Sequence, residues 1–93
     1  MPPLFDDLRA SNSPVIHDFA EANDRMHAAI AREFSGNADI DFLNKMIPYH
    51  QGAIDMARIV VIHGSDPQIR EFAETIIIAQ SNAIDFLKLW LKK

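Results

Sequence analysis

Twice in this chain a capping residue is followed directly by proline: Ser13-Pro14 in "NSPV" and Asp66-Pro67 in "SDPQ". A side-chain oxygen that caps free amide groups, followed by a ring already held at a helical φ, starts a helix. Gly36 and Gly64 stand where apolar-periodic segments stop, as glycine does at helix C-termini. These points divide the chain into three predicted helices, about 14–35, about 39–63 and about 67–92. The linkers are short, so sequential helices should be antiparallel neighbours. The β-prone runs "IVVI" (Ile59 to Ile62) and "III" (Ile76 to Ile78) lie inside longer helical periods, which override them. The expectation is an all-α, antiparallel three-helix bundle forming a single domain over 14–93. Residues 1–13 are read as a loosely attached arm with room for one turn around Leu4–Leu8.

Helical phase assigns the buried faces. The first helix points Val15, Phe19, Ala22, Met26, Ala29 and Ile30 to one side. The second points Leu43, Met46, His50, Ala53, Ala57, Val60 and Val61 inward. The third points Ile69, Ala73, Ile76, Gln80, Ala83, Ile84, Leu87 and Leu91 inward. Two polar residues, His50 and Gln80, thus fall in the middle of apolar stripes. A buried polar group destabilises unless it has a partner, and each is the obvious partner for the other.

A chain of 93 residues builds only a modest core. Small domains need a staple, tight helix packing or a partner, so a homodimer completing a larger bundle is expected. There is no cysteine, which excludes disulfides and thiolate metal sites. Any metal must be held by His, Met, carboxylate or carbonyl groups. The net charge is −4 and the nine Lys and Arg are scattered apart from Lys92 and Lys93, so no nucleic-acid partner is expected. No apolar run approaches the ~20 residues of a membrane span, so no membrane partner is expected either. "MPPLFDDLRASNS" has neither a basic head nor an apolar run, so no signal peptide is visible. The protein is then either cytoplasmic or a chain whose export signal has been removed.

Soft donors gather in the second helix. Met46 and His50 are spaced i, i+4 and share a face. Thioether and imidazole together suit Cu(I) or Ag(I). Met26 faces the core from the first helix, while Tyr49, Met56 and His63 form a line at the edge of the stripe. Against this stands the ordinary role of Met as core filler and of a core His as a hydrogen-bonded group. Pro48 removes a backbone donor and crowds the carbonyl of Asn44, which should kink the helix. The kink either opens room beside Met46 and His50 or only bends a long helix around the core; residue types leave both open. Asp24 and His27 have the i, i+3 spacing of di-iron bundles, but a single such pair without inward glutamates does not make that centre. His17 points away from the buried face and is read as solvated. No cysteine, no inward serine and no Gly-rich phosphate loop supports nucleophilic or phosphoryl chemistry, so no enzyme is expected.

The stretch "DFLNKMIPYHQGAIDMAR" resembles the signature of the domain-of-unknown-function family 305, as do "ANDRMHAAI" before it and "HGSDPQIREFAETIIIAQ" and "WL" after it. The resemblance implies a ferritin-like helical bundle. It further implies, for some members, exported proteins (periplasmic or secreted) that bind copper or silver through Met and His in metal tolerance. The matching positions are Met26, His27, Met46, His50 and Met56, with Pro48 and Gln80 as structural positions and Tyr49 as a hydrogen-bonding group behind the ligands. This chain departs from the family pattern at Tyr49 (His in relatives), Ile30 (Met), Ala83 (Glu) and Leu87 (Met). Two readings follow. One is a small non-enzymatic protein binding Cu(I) or Ag(I) at Met46, His50 and Met26, supported by His27 and Met56. The other is a metal-free helical oligomerisation or interaction module that has lost the family's site.

Overall fold

Residues 13–93 are described by the computed structural model. The expected arm and its turn around Leu4–Leu8 lie outside the described residues, Ser13 apart. Three helices follow: α1 (Pro14–Ile30), α2 (Ala38–His63) and α3 (Pro67–Leu91). No strand occurs among the described residues. The caps are those the sequence announces. Ser13 Oγ accepts the Ile16 amide at 3.4 Å, and Asp66 Oδ1 accepts those of Gln68 at 2.8 Å and Ile69 at 3.4 Å. Asn37 caps α2 by accepting the Ile40 amide at 3.1 Å.

Helix α1 ends at Ile30, earlier than the predicted end near residue 35. The reason is the next helix. Asp41, in the first turn of α2, accepts the Ser35 amide at 2.7 Å, its hydroxyl at 2.8 Å and the Gly36 amide at 3.0 Å. These bonds fold the loop back onto α2, and Gly36 takes a φ of 94° to make that turn. Lys45, one turn further on, donates to the Arg32 carbonyl and lies 4.6 Å from the centre of the Phe34 ring. Gly64 does cap α2, but with extended backbone (φ −68°, ψ 148°). What it needs is space, because a Cβ there would sit 2.5 Å from the Val60 carbonyl oxygen.

Helix α2 is the middle of the molecule. Both outer helices pack on it, and their backbones do not pack on each other. The contacts run antiparallel on each side: Asp18 meets His63 and Arg25 meets Asp55 between α1 and α2, while His50 meets Gln80 between α2 and α3. This explains the main difference from the predicted core. A single inward stripe on α2 leaves out Ile54 and Ile59, yet both are buried. A central helix has two packed sides, so one stripe describes only half of its burial. Ile69, placed inward by phase, is exposed; among the described residues α3 packs on α2 alone.

The remaining buried apolar residues are Ala20, Ala22, Ala57, Ala73, Ile84 and Leu87. Alanine at these positions lets helix backbones approach closely. Gly52 takes this furthest, since a Cβ there would overlap the Met26 side chain of α1. Pro48 lies inside α2, whose helical backbone continues through it to His63.

Candidate metal centre

His50 points from α2 toward α3, and Met46 lies one turn before it on the same helix face, which also carries the buried Ala57. Both are half-buried. His50 Nδ1 is hydrogen-bonded to Gln80 Oε1 on α3. With the amide oxygen as partner, Nδ1 is the donor of this bond and Nε2 takes no part in it. The same second-ring hydrogen bond orients metal-binding histidines generally. The pair identified by phase is therefore a real contact between two helices, half-buried rather than enclosed.

Met26 lies elsewhere. Its side chain rests on Gly52, which is two residues on from His50 and therefore about 200° round the helix. It faces the α1 side of α2, whereas Met46 and His50 face the α3 side. His27 is exposed on α1, and Met56, six residues beyond His50, is exposed as well. Of the five residues singled out, Met46 and His50 share a face; Met26, His27 and Met56 are held apart from it.

The room beside Pro48 follows the same division. A cavity of about 290 Å³ next to it is lined by Met26, Gly52, Gln51 and Asp55, and a groove of about 440 Å³ by Asn44, Gln51 and Lys88 among others. Neither is lined by Met46 or His50. The space at the proline thus opens on the side of α2 away from the His50–Gln80 pair.

One group of ligand-type atoms does converge among the described residues: those of His17, Asp18 and Glu21 lie within 4.8 Å of one another. His17 was read as solvated, and it is exposed. The signal in the sequence was its i, i+4 spacing to Glu21, 3.6 Å away, reinforced across the helix pair by His63, whose Nε2 is 3.1 Å from Asp18. Its members are at or near the surface, and His17–Asp18, His17–Glu21 and His63–Asp18 each lie within 4 Å, which accounts for the cluster as surface polar pairs of small energetic weight. Its oxygen and nitrogen donors lack the thioether that selects a soft cation.

The sequence profile of the family described as "Domain of unknown function (DUF305)" matches residues 11–91. The chain belongs to this family. A 47-residue stretch is 45% identical to "Uncharacterized protein L153" of Acanthamoeba polyphaga mimivirus. That match covers 50% of this chain and 31% of the viral protein, so the chain spans under a third of that relative. In this DUF305 chain the four positions where the resemblance implies a departure from the family pattern are spread over all three helices. Ile30 and Ala83 are half-buried, Tyr49 is exposed and Leu87 is buried. No described helix is long and apolar enough to cross a membrane.

Proposed function

We propose that this protein is a small ferritin-like helical metal-binding protein that holds Cu(I) or Ag(I) through Nε2 of His50 and the thioether of Met46. The observation that carries this reading is the His50–Gln80 hydrogen bond, which leaves Nε2 free as a donor one helical turn from a soft sulfur. Monovalent soft cations accept few ligands, so two side chains on one helix face form a usable minimum. Met26, on the far side of α2, is not part of this centre. The role that follows is sequestration, in keeping with metal tolerance, rather than turnover.

The test is an anaerobic Cu(I) titration against a coloured chelator. Wild type is expected to remove about one Cu(I) per chain, and Met46→Leu/His50→Leu none. Met26→Leu is expected to compete like wild type. Equal competition by wild type and the double variant would reject the site. A second reading, a metal-free interaction module, draws on the same bond as a lock on the register between α2 and α3. It expects replacement of both His50 and Gln80 by Leu to alter assembly or melting with no dependence on metal.

A further inference from the structure

Helix α3 carries two apolar stripes, and among the described residues only one is covered. The covered stripe includes Ala73, Gln80, Ile84 and Leu87 and packs on α2. The other runs Ile69, Phe72, Ile76, Ala79, Ala83, Phe86 and Trp90, alternating steps of three and four without a break. That is the spacing of a helix-pairing seam. Four of its large members stand in solvent, Ile69 at 55% exposed, Phe72 64%, Phe86 59% and Trp90 48%, while Ile76 between them is half-buried. On α2, Phe42, Tyr49 and Met56 repeat every seven residues and are exposed too. In an antiparallel pair of right-handed helices, both lines turn to the same side of the layer. The groove lined by Asn44, Gln51 and Lys88 opens on the other side. One side of the α2–α3 layer thus gathers a contiguous row of exposed apolar side chains, the distribution of an interface rather than of a free surface.

We infer that this seam is the contact surface for a second copy of the chain, with the two α3 helices antiparallel about a two-fold axis near Ser81. The seam is self-complementary about that point. Phe72 meets the partner's Trp90, Ile76 meets the partner's Phe86, and Ala79 meets the partner's Ala83. Small residues at the centre allow close approach, and aromatic rings close both ends. A two-fold interface requires this kind of palindrome. Charge fixes the direction. The N-terminal half of α3 and its cap carry Asp66, Glu71 and Glu74 with one cation, Arg70, while the C-terminal part carries Lys88, Lys92 and Lys93 with one acid, Asp85. Antiparallel pairing sets acidic end against basic end and opposes the helix dipoles favourably; parallel pairing stacks like charges. The seam contains none of the proposed metal ligands, so the inference stands apart from the metal reading.

Sedimentation of the full chain in the tens of micromolar range, without metal, tests it. The expected mass is twice the 10.5 kDa chain. Phe72→Ser and, separately, Phe86→Ser should each raise the dissociation constant at least tenfold while far-UV circular dichroism keeps the helical signal. Because both side chains face solvent in the single chain, folding should survive. Spin labels on Glu71→Cys give the direction, about 30 Å apart across an antiparallel pair and about 10 Å across a parallel one. A monomeric wild type would overturn the proposal and leave the seam to another part of the chain or a different protein. So would a dimer indifferent to both substitutions, or the short spin-label distance.

Discussion

Gly52 and Met26 show how a residue-scale choice separates the candidate ligands. Gly52 has no side chain, so the Met26 side chain fills the space where one would stand. That anchors Met26 on the α1 side of α2 and away from His50. The expectation is measurable by a double-mutant cycle in denaturant. Gly52→Ala alone should destabilise by about 1–2 kcal/mol, because the new methyl group displaces Met26. In a Met26→Ala background the same change should stabilise by about 0.5–1 kcal/mol, since alanine is the better helix residue. Additive effects would mean that the two residues do not meet. The sequence named Met26, Met46 and His50 by residue type and phase. It could not tell that they face opposite sides of α2, because phase assigns one inward stripe per helix. The His50–Gln80 pair was legible because each is a polar residue in an apolar row, and only a partner resolves that conflict.

Among the elements, the helices were legible where side chains announce their ends. Ser13, Asp66 and the prolines after them mark starts that depend on local hydrogen bonds alone. The end of α1 was not legible, since it depends on Asp41 reaching back to Ser35 and Gly36 from the next helix. Asp41 ionises below the usual 3.8, chiefly because the Ser35 amide donates to its carboxylate. A folded-state value below the unfolded one means stability that is fully present above the unfolded value and lost as pH falls through the folded one. Asp41→Asn should therefore melt at a lower temperature than wild type at about pH 6, with the gap closing as both are acidified below the ordinary aspartate range. A gap that persists unchanged into acid would show that the carboxylate charge does not hold the α1–α2 loop.

At the scale of the molecule, the described residues form a row of three helices with α2 in the centre. An all-α bundle with antiparallel neighbours followed directly from periodicity and short linkers. That α2 would be packed on both sides, with one face of α3 left uncovered among the described residues, could not be read from any single helix. It is a property of how three amphipathic faces share too little surface. The same geometry places the proposed metal donors on the α2–α3 side and the ion-paired His17, Asp18, Glu21 and His63 on the α1–α2 side. The histidines can thus be told apart by their response to a soft cation.

Histidine-ring 15N NMR during titration with Ag(I) makes that distinction directly. The expected result is a saturable shift confined to Nε2 of His50, complete at about one Ag(I) per chain, with its Nδ1–H bond to Gln80 retained. A His50 ring that does not respond, or a response at His17 and His63 instead, would contradict the assignment of the site.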